Sequence, residues 1–302
     1  MLPDFMIIGA QKSASTFVHE CLRGHPDVFM PKGETPFFEN PFYVQSDIKQ
    51  LEALFDNVKD ETMLGIKRPD YLGEIECPAR IHKHIPYPKF IVILRDPVER
   101  AISAYYWYMR MGYIPARPLE EGMRDIVDGL YEAQYPKSGE IIRYGLYHQH
   151  IKRYMCYFDR ESFLIMFHSD FEADSLQSMK RVYRFLLVKD DHVPKSLHKR
   201  PKRSIYSLAR IQLSRLRNPF IHTYYTYDGN MMNFLPKKNA GVVLVKGVFY
   251  LIDRLLFEPV CNNARPELSA YLGSRLLDVY IKDIDKLEGF LGQELPEWKN
   301  AT

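Results

Sequence analysis

The sequence predicts an α/β fold in which a central parallel sheet is flanked by helices in three layers, with a C-terminal helical insertion or cap. Three observations carry that reading. Phe5-Met6-Ile7-Ile8 and Phe90-Ile91-Val92-Ile93-Leu94 are uninterrupted apolar runs of strand length, as expected for strands covered on both faces. Each ends in a turn that carries a cation and hydroxyls and leads into a helical pattern. Strand and helix patterns then alternate, which favours right-handed crossovers and ligands at the carboxyl ends of the strands.

Taken in order, the first strand opens at Phe5 and its helix spans residues 15–23. An irregular Pro- and Phe-rich stretch follows, then a helix over 48–55 and strands near Leu64 and Phe90. A helix is expected over 98–109, a loop over 112–118 and an amphipathic helix over 119–130. One long helix over 142–158, a strand over 163–167 and a helix over 176–186 complete the alternation. From Lys195 the composition turns basic, with Lys195, Lys199, Arg200, Lys202, Arg203 and Arg210 in one segment, although charge runs of this kind also form ordinary solvated faces. Residues 205–265 are rich in aromatic and apolar side chains and are expected to form a helical cap or insertion within one domain of residues 1–302; an oligomer surface or ordinary core is the alternative.

The two turns carry the chemistry. Gly9-Ala10-Gln11-Lys12-Ser13-Ala14-Ser15-Thr16 lies where a strand hands over to a helix, so free N–H groups and the helix dipole favour an anion there. It lacks the Gly-Lys-Ser/Thr ending of the nucleoside triphosphate P-loop, so it suits a phosphate without an obvious metal ligand. Strand, glycine and hydroxyl cap also open ordinary helices, so this loop alone leaves both readings open. In the second turn, Arg95 ends a strand, Pro97 suits a first helical turn, and Ser103 follows two turns on. Arg95 and Ser103 can close on one phosphate. The competing reading is an Arg-Asp pair at a helix cap. Two anion sites together fit the two ends of one doubly phosphorylated ligand.

These segments resemble the sulfotransferases that use 3′-phosphoadenosine-5′-phosphosulfate (PAPS), most closely the heparan sulfate sulfotransferase branch and its bacterial relatives. The resemblance extends to His25-Pro26-Asp27-Val28, Glu34-Thr35-Pro36-Phe37-Phe38, Lys67-Arg68-Pro69-Asp70-Tyr71 and Tyr144-Gly145-Leu146-Tyr147. It implies a P-loop-like fold and in-line transfer of a sulfuryl group from PAPS to an acceptor hydroxyl or nitrogen, leaving 3′-phosphoadenosine-5′-phosphate without a metal. It places Gln11, Lys12, Ser13, Ala14, Ser15, Thr16 and Phe17 on the 5′-phosphosulfate, and Arg95 and Ser103 on the 3′-phosphate, with Lys199, Lys202 and Arg203 in a basic loop over the latter. Glu34 matches the branch's catalytic base, Lys12 is the donor aimed at the leaving oxygen, and Lys67 matches a lysine near the sulfuryl group. Glu34 in a purely structural ion pair is the alternative. Phe37, Arg68, Asp70, Tyr71 and Tyr144 are the candidates for acceptor contact. Arg68 departs from the family, which has a small hydroxyl residue there; its guanidinium either binds an anionic substrate or points to solvent. His82 and His84 match no motif position and read as surface or packing residues.

The chain has 302 residues, four widely spaced cysteines and a formal charge of +3. No zinc pattern or disulfide framework is evident, and the charge is too small to imply nucleic-acid binding. The first strand starts within a few residues of Met1, and the apolar stretch 241–257 is interrupted by Lys246, Asp253 and Arg254. A cytoplasmic enzyme with a small-molecule acceptor and no membrane partner is therefore expected; polysaccharide and carrier-bound acceptors are alternatives. Oligomeric state is not legible. Two rivals stand beside this reading: a magnesium-dependent P-loop kinase, and a nucleotide-binding protein without turnover.

Overall fold

The computed structural model describes residues 1–198, 204–227 and 230–300. Five parallel strands form one sheet: β1 (Phe5–Gly9), β2 (Val28–Phe29), β3 (Met63–Lys67), β4 (Lys89–Leu94) and β5 (Phe163–Phe167). Their order is β2-β3-β1-β4-β5. The most continuous apolar runs, β1 and β4, are neighbours at the centre and almost wholly buried, as strands with two covered faces must be. One face packs Phe5, Ile7, Ile91 and Ile93 against Val18, Leu22, Met179, Val182 and Leu186. Gly65 on β3 is required by close packing, since a Cβ there would lie 2.2 Å from the Phe5 ring across the sheet.

The chain divides into two compact units: residues 1–100, 146–201 and 283–294, which contain the sheet, and residues 101–145, 202–282 and 295–302. In the first unit, α1 (Ser15–Leu22) follows β1, α2 (Cys77–His84) follows β3, and α3 (Pro97–Met111) starts after β4. Pro97 opens α3 while the Asp96 carboxylate accepts from the Glu99 N–H at 2.8 Å, so sequence and cap agree.

The expected long helix over 142–158 is instead two, Glu140–Arg143 and α5 (Tyr147–Tyr154), α4 being Leu119–Val127. Gly145 closes a turn onto the Ile142 carbonyl, and Leu146 takes the non-helical ψ of 70°. Helix α6 (Ser175–Leu186) matches its expected span and is capped by Asp174, which accepts from Leu176 and Gln177.

The second unit contains α7 (Leu208–Ile221), α8 (Ala240–Ile252) and much of α9 (Ala270–Leu291). Between α7 and α8, where only helix was expected, an antiparallel pair forms from β6 (His222–Tyr227) and β7 (Asn230–Pro236). Tyr224, Tyr225 and Thr226 have side chains that favour a pleated surface over a helix. Arg215 donates to the carbonyls of Ile114 (2.6 Å) and Met109 (3.3 Å), and Arg210 forks onto Asp253 at 2.8 and 2.7 Å, which fixes α7 within this unit.

Candidate active site

At the carboxyl end of β1 the chain turns sharply. A Cβ on Gly9 would lie 2.7 Å from Leu72, so only glycine fits without displacing the segment after β3. Lys12 and Ala14 both adopt left-handed backbone, at φ 69° and 67°, strain of a kind that concentrates at ligand-binding turns. Ala14 occupies the N-cap of α1 without a side-chain cap, which leaves the helix's first N–H groups to another acceptor. Ser13 is fully buried, and its hydroxyl has no hydrogen-bond partner among the described residues. Lys12, Ala14 and Phe17 are half-buried, Gln11 and Ser15 are buried, and Thr16 is exposed.

The end of β3 supplies the second wall. Register sets Lys67 beside Ile7, and the buried Lys67 ammonium donates to Thr16 Oγ1 and pairs with Glu34 Oε1, each at 3.0 Å. One cation thus joins the first turn to the Glu34 loop. Arg68 does not point to solvent. Its side chain is 12 % exposed and meets Glu34 at 2.7 Å, Glu39 at 2.5 and 2.7 Å, and Asp70 at 2.9 Å. Asp70 also accepts from Gln11 Nε2 at 3.0 Å, which returns the cluster to the first turn.

Burial raises the Glu34 pKa, but Lys67 and then Arg68 overcome this and hold it below the usual carboxylate value. Glu39 has the opposite fate: burial pushes it up to about 7 despite Arg68. The folded protein therefore binds a proton at Glu39 that the unfolded chain has released between the ordinary glutamate value and about 7. Stability from this group is highest at the acidic end of that window and is lost as pH rises through it, by about 3 kcal/mol in total. Glu39→Gln should flatten this part of the curve, as denaturation midpoints measured against pH will show. An unchanged slope would mean that Glu39 titrates like an exposed carboxyl.

Tyr71, expected at the acceptor, is completely enclosed: its hydroxyl donates to the Thr35 carbonyl and accepts from the Phe38 N–H at 3.2 Å. It therefore holds the Glu34 loop in place. Phe37 is buried and packs edge-on against Phe38. Tyr144 is buried in the second unit. His84 meets the Tyr43 hydroxyl at 3.1 Å and His82 packs on Tyr157 and Phe158, both away from these groups in role.

At the end of β4, Arg95 donates to the Lys12 carbonyl (3.4 Å) and pairs with Glu99 at 3.1 Å, so its partner on α3 is Glu99 and Asp96 serves as the cap. Tyr147 donates to the Arg95 carbonyl at 2.8 Å. Ser103 lies on α3 within the second unit. Lys199, Lys202 and Arg203 lie outside the described residues.

Two participants escaped the sequence reading. Glu39 had a signal, an acid five residues after Glu34 at the end of the same aromatic motif. His19 had little: it is buried on α1, its Nε2 lies 3.0 Å from the Pro31 carbonyl, and burial followed by Lys67 lowers it to about 4, so it is neutral at pH 7.

A parallel sheet with a tight glycine turn between β1 and α1, backed by an ammonium and a carboxylate from the neighbouring strand and loop, defines a P-loop-like α/β protein. The Sulfotransferase domain family matches residues 2–207, and the chain belongs to that family. It is 30% identical over 187 residues to human heparan sulfate glucosamine 3-O-sulfotransferase 6, covering 62% of this chain and 53% of that one. To mouse heparan sulfate glucosamine 3-O-sulfotransferase 3A1 it is 28% identical over 256 residues, covering 76% and 63%. The chain thus spans about half the length of the first relative and under two thirds of the second. A sulfotransferase from Alicyclobacillus acidocaldarius shares the fold, with a TM-score of 0.68 at 20% identity over 99% of this chain and 100% of that one. No helix among the described residues is long and apolar enough to cross a membrane. Nor do the described residues hold a group of three or more His, Cys, Asp or Glu placed to bind a metal ion.

Proposed function

We propose that this chain moves a sulfuryl group from PAPS to a hydroxyl of a small-molecule acceptor, with Glu34 as the base. The observation that carries the reading is the Lys67 ammonium, 3.0 Å from both Thr16 on the donor-side turn and Glu34. It ties a proton acceptor to an anion-binding turn. The buried Ser13 hydroxyl and the uncapped start of α1 fit a phosphosulfate, since both need an external acceptor.

PAPS supplies the sulfuryl group and a bisphosphate leaving group. Glu34 takes the acceptor's hydroxyl proton as the new O–S bond forms and the bond to the bridging oxygen breaks. Lys12 and the turn's N–H groups offset the charge that grows on that oxygen. Gln11, Ser13, Ala14, Ser15, Thr16 and Phe17 bind the 5′ end, and Arg95 and Ser103 the 3′-phosphate. Phe37, Arg68 and Asp70 belong to the acceptor side, where Tyr71 acts by holding the Glu34 loop.

The acceptor side holds three carboxylates, Glu34, Glu39 and Asp70, against two cations, Lys67 and Arg68. With Glu39 pushed up to about 7, these charges come close to balance at neutral pH and present no net positive wall to a polyanion, which favours a neutral or cationic acceptor. A polysaccharide acceptor is the second reading, favoured by the names of the relatives. Residues 205–265, almost all beyond the matched family segment, form an insertion in this proposal.

Calorimetric titration with 3′-phosphoadenosine-5′-phosphate, beside ATP with and without magnesium, tests the donor. Tight, metal-independent bisphosphate binding is expected; preference for magnesium-ATP would replace this reading with a kinase. Lys12→Ala should then cost about 10²-fold or more in turnover, on the scale of one lost oxyanion donor, in a radiolabelled sulfate-transfer assay. Unchanged turnover with normal donor binding would remove Lys12 from the mechanism.

A further inference from the structure

Helix α8 is apolar almost all round, a pattern expected of a covered helix, yet much of it faces outward. Val242 is buried, whereas Leu244, Val248 and Leu251 are 71%, 46% and 54% exposed. With Val243, Gly247 and Tyr250, also exposed, they cover an arc of about 160° on a helix of 3.6 residues per turn. Exposure of large apolar side chains continues past the helix at Leu255, Leu256 and Val260. A patch of this kind marks a surface that something else covers.

From the geometry we infer that this face docks on an anionic lipid surface, lying in its plane. Helix α8 runs on into a π-helical turn, Asp253–Phe257, and the run carries Lys246, Asp253 and Arg254; no described helix is long and apolar enough to cross a bilayer, which leaves a position in the plane of the surface. The charges around the face fit anionic headgroups. Lys237 and Lys238 precede it, Lys246 borders the arc, and Arg254 follows. Of the two acids in this stretch, Asp253 is neutralised by Arg210, which leaves Glu258. Tyr250, hydrogen-bonded by Arg254 at 2.8 Å, combines an apolar ring with a polar tip suited to the headgroup level. A second copy is the weaker occupant, because the arc is broader than a helix-pairing seam and pairing sets cations against cations. The contact proposed is with the surface and does not span, and it goes beyond the expectation of no membrane partner.

The test is co-sedimentation of the full chain with phosphatidylcholine vesicles, with and without phosphatidylserine, beside the double variant Leu244→Glu, Leu251→Glu. Both positions are exposed, and circular dichroism with thermal denaturation reports whether the variant is folded. The chain is expected to pellet with the phosphatidylserine vesicles, and the variant's bound fraction to fall about tenfold or more. A Tyr250→Trp variant should shift its emission to the blue on those vesicles alone. Failure to pellet with either vesicle, or equal binding to both, overturns the proposal. So does a dimer that the double variant splits while neither form binds vesicles. None of these outcomes depends on whether sulfuryl transfer is the reaction.

Discussion

Glu34→Gln should lower turnover by about 10² to 10⁴-fold, the range associated with loss of a positioned general base. Gln keeps the side chain's length and its contact with Arg68 but cannot take a proton. Binding of 3′-phosphoadenosine-5′-phosphate should stay within a few-fold of the parent, because Lys67 keeps Thr16 as a partner. Transfer of radiolabelled sulfate and calorimetry separate the two effects. Turnover within about twofold of the parent would reduce Glu34 to an ion-pairing residue. The pH profile adds a second reading of the same carboxylate. Lys67 and Arg68 hold Glu34 below the ordinary glutamate range against the opposing effect of burial, so it remains a competent base across neutral pH. Any acid limb owed to Glu34 should lie below the value of an unperturbed carboxyl.

Arg68→Ala carries the largest expected loss of stability, about 3 to 5 kcal/mol, the scale of stranding buried charge. The guanidinium is the shared partner of Glu34, Glu39 and Asp70, and the side chains of Glu39 and Asp70 are 5% and 11% exposed. Its removal leaves these acids mutually repelling, so the carboxyls should take up protons and the loss should be greatest at alkaline pH. Arg68→Lys retains charge but not the fork, and should recover only part of the loss. Urea denaturation at two pH values measures this directly. A loss below about 1 kcal/mol would mean that the cluster behaves like a solvated surface network.

Much of the frame was legible because its signals are local. Continuous apolar runs specified β1 and β4, Pro97 and Asp96 marked the start of α3, and Gly9 marked the sharp turn after β1 before any contact was known. The 142–158 helix was misread because apolar spacing continues across Gly145 while the backbone does not. The β6–β7 pair was missed for a different reason: an aromatic-rich segment suits strand or buried helix until a partner is found.

The role of Arg68 lay beyond reach of the chain order. As a departure from a motif it looked like a substrate contact or a solvent-facing side chain, and the second does not describe a guanidinium ringed by acids from 34, 39 and 70. Tyr71 is similar, because only its burial and its bonds to Thr35 and Phe38 distinguish a loop pin from an acceptor contact.

The sequence by itself determined the parallel α/β frame, the family and the position of the glycine-and-hydroxyl turn after β1, because strand continuity, capping and turn chemistry act over a few neighbouring residues. Only the tertiary structure decided which charges meet. The register that sets Ile7 beside Lys67 brings the first turn, Glu34 and the Arg68 cluster together across as many as 59 positions of chain, and ion pairs depend on that distance in space.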